Sequence, residues 1–243
     1  MVMANTMKNC WRSGIKGVLV LLALVFIGAA ASAGSWETGL TRTADHDFDA
    51  PVPGTYSLPV LGAAGDGAVI DSAGVPRTLH EVHNGKIVLL SFIYTRCPDE
   101  KGCPLAWSAL YDVLYVSEED RDLADHLKLV SLSFDPEHDT PEAMAAFAQK
   151  TYAMQKDASP WAMLTARSTT DLRPILARYG QAIAPRRDPE TGAVTGFTHQ
   201  LRVYLIDGRN RIRNIYSLGF LDPRLLLADV RTLILEERGE AIR

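Results

Sequence analysis

The feature that most constrains the fold is an unbroken apolar run, KIVLLSFIY, over residues 86–94. It is rich in β-branched and aromatic residues, which is typical of a strand buried on both faces of a sheet. Cys97 and Cys103 follow closely, and Pro104 suits the first turn of a helix because its missing N–H has no partner there. The run therefore predicts a central strand, then a loop carrying two cysteines, then a helix.

The rest of the chain alternates between strand patterns and helix patterns. The predicted elements are a hairpin of residues 68–70 and 77–79, strands over 127–134, 161–165, 199–206 and 211–216, and helices beginning at 104, 140, 169 and 222. Alternating strands and helices with buried strands predict an α/β protein, with a central mixed sheet and helices on both faces. The closing β-β-α order favours a thioredoxin-like layout over a purely parallel sheet.

The N-terminus has the three-part pattern of a secretory signal. An apolar core over residues 18–31 is preceded by three basic residues and ends in the small residues Ala-Ser-Ala. We expect residues 1–33 to be a signal peptide or, as the alternative, an uncleaved signal anchor. Either one places the rest of the chain in the periplasm or at the outer face of the inner membrane, with membrane contact only through this segment.

Residues 34–60 are polar, contain Gly and Pro and lack a clear period, so we expect a flexible tether before one domain over residues 61–243. The formal net charge of the whole chain is −4. Without the three basic residues of the signal, 22 basic residues remain against 29 acidic ones, a net charge of −7. No long basic run is present, which argues against nucleic acid as a partner. We expect a monomer.

Two cysteines remain in the exported part, Cys97 and Cys103. In an oxidising compartment such a pair is a structural disulfide, a redox pair or a set of metal ligands, and composition does not choose among them. Sites form at the ends of buried strands in open α/β sheets, and a helix N-terminus stabilises a thiolate at Cys103. Thiolates suit a soft metal or a redox exchange. Structural zinc would need a fourth ligand, for which the sequence has no convincing position.

At these residues the sequence resembles the Sco/SenC family of copper proteins, over about residues 55 to 237. Four segments carry the resemblance by their order and spacing: GKIVLL at 85–90, FIYTRC at 92–97 with Cys103-Pro104, SFDPEHDTPE at 133–142, and FTH at 197–199 with VYLID at 203–207. One departure is that five residues, rather than the three usual in the family, separate the cysteines. We expect a longer, more adaptable loop there, with Gly102 taking a tight turn.

The resemblance implies a thioredoxin-like domain that binds copper, as Cu(I) or Cu(II), through Cys97, Cys103 and His199. It also implies that Asp135 lies near the site and supports it without binding the metal. Two thiolates favour Cu(I), and an added imidazole makes Cu(II) acceptable. The implied role is that of a metallochaperone rather than an enzyme. It would deliver copper to a respiratory cuproprotein, or prepare that protein's thiols, with the CuA site of a cytochrome c oxidase subunit as the expected client.

One alternative function stays open, a thiol–disulfide oxidoreductase that uses Cys97 and Cys103. The fold and the position of the cysteines suit it. However, such enzymes usually space their cysteines by two residues, and thioredoxins carry a cis-proline where this chain has Thr198 and His199. A copper-free redox sensor has no support beyond the fold.

Several polar residues are expected to remain outside the site. Three histidines lie near polar turns, where surface placement is the default: His80, His83 and His126. His138 lies within the loop between a strand and a helix and is a minor candidate for approaching the site. Arg186 and Arg187 form a short charge pair that a solvated face explains.

Overall fold

The computed structural model describes residues 48–99, 102–154 and 160–240. The strands in this part of the chain are β1 (Gly62–Ala63), β2 (Ala68–Asp71), β3 (Pro76–Thr78), β4 (Ile87–Ile93), β5 (Leu127–Ser133), β6 (Trp161–Thr165), β7 (Ala184–Arg187), β8 (Val194–Thr198), β9 (Arg202–Ile206) and β10 (Arg211–Ser217). The helices are α1 (Leu79–His83), α2 (Cys103–Glu119), α3 (Arg121–His126), α4 (Pro141–Met154), α5 (Thr169–Arg178) and α6 (Pro223–Glu237).

The signal predicted over residues 1–33 lies outside the described residues. Among the residues that are described, no helix combines the length and hydrophobicity needed to span a bilayer.

Eight strands form one mixed sheet in the order β1-β10-β9-β4-β5-β6-β2-β3. β4, β5 and β6 run parallel, whereas β9 pairs with β4 and β10 pairs with β9 in antiparallel fashion. All seven residues of β4 are buried. Because successive side chains of a strand point to opposite faces, both faces of the sheet must be covered. The prediction of an α/β fold with a central mixed sheet is confirmed.

The centre of the sheet brings two loops together at one edge. The parallel register aligns Ile93, the last residue of β4, with Ser133, the last residue of β5. The chain leaving β4 therefore enters the cysteine loop beside the chain leaving β5. Helix α2 begins at Cys103, with Pro104 in its first turn as predicted.

The predicted strand over residues 199–206 is wrong at its start, because β9 begins at Arg202. His199 instead lies in the short link between β8 and β9. β8 pairs with β7 in a separate two-stranded hairpin that the sequence analysis did not predict. All four residues of β7 are exposed, so this strand has no alternation of apolar and polar residues by which it could be recognised.

The start of α1 and the turn after β9 each depend on particular residues. Leu79, predicted to end a strand, begins α1, because Thr78 and Glu81 form a reciprocal capping box at the helix start. In the turn between β9 and β10, the left-handed residue is Asn210 (φ 57°) rather than Gly208. Gly208 is required for space, since a Cβ there would lie 2.7 Å from the carbonyl oxygen of Gly85.

The segment before the domain is packed on it where it is described. The Tyr56 hydroxyl donates to the Asp229 carboxylate of α6 at 2.6 Å. The buried guanidinium of Arg224 donates to a backbone carbonyl of the same segment at 3.0 Å. Residues 48–60 are therefore held against α6, which corrects, for this part, the flexible tether predicted over residues 34–60.

Candidate metal centre

The cysteine loop leaves β4 in a tight path. The Cys97 N–H donates to the Tyr94 carbonyl at 3.3 Å, and the Gly102 N–H donates to the Asp99 carbonyl at 2.8 Å. A Cβ on Gly102 would lie 3.3 Å from the Cys97 sulfur and 3.1 Å from the Asp99 carbonyl oxygen. Gly102 has a φ of −98°, so its role in this turn is to leave room for the sulfur rather than to adopt a left-handed conformation.

The structure brings all three predicted ligands together. The two sulfur atoms and one ring nitrogen of His199 lie within 4.8 Å of one another. The distance from the Cys103 sulfur to the His199 Nε2 is 3.7 Å, although 96 residues separate them along the chain. Both cysteines are free thiols; Cys97 is partly exposed and Cys103 is buried.

Burial sets the protonation of two of these residues. It raises the pKa of the Cys103 thiol well above its ordinary value, against a lowering contribution from the Tyr94 backbone. It lowers the pKa of His199, against the opposing charge of Asp99. The metal-free protein therefore holds a thiol at Cys103 and a neutral imidazole at His199. Burial therefore opposes the thiolate that the helix N-terminus is expected to stabilise at Cys103.

A buried carboxylate organises the approach to the cysteines. Asp139 is fully buried, and it accepts hydrogen bonds from the Thr95 N–H at 3.0 Å, from the Thr95 hydroxyl and from the Ser133 hydroxyl. It thus joins the end of β5 to the residue two positions before Cys97. No local sequence signal distinguishes Asp139, because an acid just before a helix is equally typical of a cap.

Asp135 contacts residues near the ligands rather than the ligands themselves. Its carboxylate is buried and accepts from the Arg96 guanidinium at 3.0 Å and from the His138 Nδ1 at 3.0 Å. It therefore holds the residue next to Cys97 and also ties down His138. His138 lies by this carboxylate and is absent from the group of ligand atoms around Cys103.

Aromatic rings enclose His199. The centroid of its ring lies 4.9 Å from that of Phe134 and 6.1 Å from that of Tyr94, and Phe197 packs on both of those rings. The His199 Nδ1 is buried and has no hydrogen-bond partner among the described residues. Burial raises the pKa of Tyr94, and the neighbouring Cys97 side chain raises it further.

The other histidines lie away from this group. His80 and His126 are half-buried, and His83 is buried, which corrects the surface placement expected for it. The His83 Nδ1 lies 2.9 Å from the Asn210 Oδ1, and burial lowers the pKa of His83 to about 4. His83 is therefore a neutral histidine of the fold rather than a ligand.

The donor set fits a soft metal ion. Two sulfurs and an imidazole are the donors that Cu(I) prefers and that Cu(II) accepts. Within the described ranges no fourth Cys, His, Asp or Glu joins the group, so a structural zinc site is incomplete. A cavity of 430 Å³, lined by Cys97, His199 and Asp99 among others, opens on one side of the centre.

The chain is similar to proteins of one known family. A model of the SCO1/SenC family matches residues 64–235. No curated protein matches the chain. Among solved structures, a SCO1/SenC family lipoprotein from Bacillus anthracis is 24% identical, with a TM-score of 0.54, over 76% of this chain and 99% of that one.

Two further solved structures have the same fold. Arabidopsis thaliana ScoI, solved with copper bound, is 20% identical with a TM-score of 0.54, over 72% of this chain and 99% of that chain. BsSco is described as a member of the Sco family of cytochrome c oxidase assembly proteins that contains a disulfide switch. It is 20% identical with a TM-score of 0.54, over 74% of this chain and 98% of its own. The predicted thioredoxin-like fold is confirmed.

Proposed function

The chain belongs to the SCO1/SenC family, and from that premise we propose that it binds one copper ion through Cys97, Cys103 and His199 and passes it to a respiratory cuproprotein. The observation that carries the proposal is the convergence of three ligand atoms within 4.8 Å of one another, although His199 is remote in sequence from the cysteines. A solved relative with the same fold holds copper, which supports the choice of metal.

The client we propose is a subunit of cytochrome c oxidase, with its CuA site as the acceptor. The description of BsSco as one of the cytochrome c oxidase assembly proteins supports this client class. The signal predicted over residues 1–33 supports a place in the periplasm or at the outer face of the inner membrane. We propose that the protein acts there as a monomer and as a metallochaperone rather than an enzyme.

The ligands differ in their protonation before copper binds. Cys103 carries a proton in the metal-free protein because burial raises its pKa, so copper must displace that proton. His199 presents a neutral ring because burial lowers its pKa, and it binds without losing a proton. A partner that protonates Cys103, or offers more thiolates, would favour release of copper.

Copper titration of the purified full chain tests the proposal. We expect one Cu(I) per chain in competition with a chromophoric chelator, and a thiolate-to-Cu(II) absorption band on titration with Cu(II). Cys97→Ser and Cys103→Ser should each abolish tight binding, whereas His138→Ala, a histidine near the site but outside the ligand group, should bind like the parent. Tight binding by either cysteine variant would refute the ligand set.

A second function has its own support. Both thiols are free and their sulfurs lie within 4.8 Å, so a reversible disulfide between them is within reach of a modest loop movement. The more exposed Cys97 would attack the disulfide of a partner, and Cys103 would then resolve the mixed disulfide. The partner gains two electrons and two protons, and the pair becomes a disulfide. Rapid reduction of insulin by the metal-free protein would favour this function over copper transfer.

A further inference from the structure

The β7–β8 hairpin carries two neighbouring arginines with different surroundings. Arg186 lines the 430 Å³ cavity at the candidate metal centre, together with Cys97, Asp99 and His199. Arg187 lines a different cavity, on the far side of Phe197. The pairing of β7 with β8 shifts register between these two residues, so the strand is irregular where the two side chains diverge.

A glycine gives the Arg186 side chain its path toward the centre. Gly196 of β8 pairs with Arg186 in the hairpin. A Cβ at this position would lie 2.8 Å from the Arg186 Nη2 and 3.4 Å from its Nε. The guanidinium therefore lies against Gly196, three residues before His199, in space that any other side chain would fill.

The Arg186 guanidinium also has no partner of its own in the described part of the chain. Arg96 is paired with Asp135, and Arg187 donates to the Gly192 carbonyl at 3.0 Å. The Arg186 side chain, by contrast, makes no ion pair and donates no hydrogen bond to a described residue. A cation without a partner at the mouth of a site is available to neutralise charge that appears within the site.

Binding of Cu(I) creates such a charge. Two thiolates, a neutral imidazole and Cu(I) have a combined charge of −1, whereas the same ligands with Cu(II) are neutral. We propose that Arg186 supplies the counter-charge of the Cu(I)-loaded centre, so that it is a residue that tunes the preference for Cu(I) over Cu(II). This inference rests on the proposed function. It also assigns a role to a residue that the sequence alone assigns to a solvated face.

The test compares Arg186→Gln with Arg187→Gln as the matched control on the same strand. Removal of one charge near the mouth should weaken Cu(I) binding by about threefold to tenfold at low salt. Cu(II) binding should weaken less, so the Cu(II)/Cu(I) midpoint potential should fall. Arg186→Lys should retain most of the parent affinity, and Arg187→Gln all of it. High salt should shrink the difference between Arg186→Gln and the parent.

Cu(I) binding by Arg186→Gln as tight as that of the parent, or an equal loss in Arg187→Gln, would overturn the proposal. A measurement without copper separates this failure from failure of the proposed function. In the metal-free protein, the rate of Cys97 modification by dianionic dithionitrobenzoate is divided by the rate with uncharged dithiodipyridine. Arg186→Gln should lower this ratio about threefold while Arg187→Gln preserves it. An unchanged ratio would show that the Arg186 charge does not act at the sulfur.

Discussion

The two sides of the candidate metal centre are held by different kinds of interaction. On the cysteine side, the buried Asp139 carboxylate receives three hydrogen bonds from Thr95 and Ser133, and Asp135 holds Arg96 beside Cys97. On the histidine side, the His199 ring is enclosed by aromatic rings and its Nδ1 has no hydrogen-bond partner among the described residues.

This difference has a consequence for metal exchange. Hydrogen bonds to a buried carboxylate are directional, and here they hold Thr95, two residues before Cys97, in place. Contacts between rings tolerate small rotations, since they have no donor and acceptor to align. We therefore expect the cysteine side to be the rigid half of the centre, and the His199 ring to be the half that moves when a metal ion leaves.

The largest expected effect is on the rigid half. Asp139→Ala would leave the Thr95 amide, the Thr95 hydroxyl and the Ser133 hydroxyl without their acceptor, so the free energy of unfolding should fall by about 3 kcal/mol. Urea unfolding of the metal-free protein measures this loss of free energy. Asp135→Ala is the control, with an expected loss of about 1 kcal/mol because its partner Arg96 is 51% exposed. Equal losses would show that Asp139 is not the organising residue.

The next effect concerns the mobile half. His199→Ala should weaken Cu(I) binding by about a hundredfold, as expected for loss of a ligand, while the free energy of unfolding changes by less than about 1 kcal/mol. Competition with a chromophoric chelator measures the Cu(I) affinity, and urea unfolding measures the free energy of unfolding. A large loss of stability with little loss of affinity would reverse the assignment of the two halves.

The pH dependence of Cu(I) binding should arise from the cysteine side alone. The raised pKa of Cys103 keeps it protonated in the metal-free protein, and copper binding releases that proton. Cu(I) affinity should therefore rise with pH, by at least about tenfold per unit between pH 6.5 and 8.5. His199 has a lowered pKa, is neutral throughout this range and contributes nothing to the slope. His199→Ala should keep the parent slope; a shallower slope would mean that the histidine also loses a proton.

The smallest effect tests the aromatic contacts. Phe134→Leu should lower the free energy of unfolding by about 1 kcal/mol and weaken Cu(I) binding about threefold, because the His199 ring loses an aromatic neighbour. Phe92→Leu is the matched control: Phe92 is equally buried but packs on Tyr179 and Tyr204. Phe92→Leu should lower the free energy of unfolding by a similar amount and leave the Cu(I) affinity unchanged. A loss of affinity in both variants would indicate a general effect of a loosened core.

Much of the cysteine side could be predicted from the sequence because it is local. The run over residues 86–94 is apolar at nearly every position, so it has to be a central strand, and Pro104 marks the helix start. Cys97 and Cys103 lie between these two elements, and their position follows directly. The hairpin before His199 could not be predicted in this way, since β7 is exposed at all four residues and leaves no periodic signal.

The sequence by itself determined the class of fold, the cysteine loop and, through its motifs, the three candidate ligands. Only the tertiary structure decided that Asp139 is the buried acceptor for the cysteine side, that His83 is buried and that Arg186 faces the centre while Arg187 does not. It also decided that Cys103 is buried, which raises the pKa of its thiol. These properties depend on which remote segments meet and how much water they exclude, and no local pattern encodes either quantity.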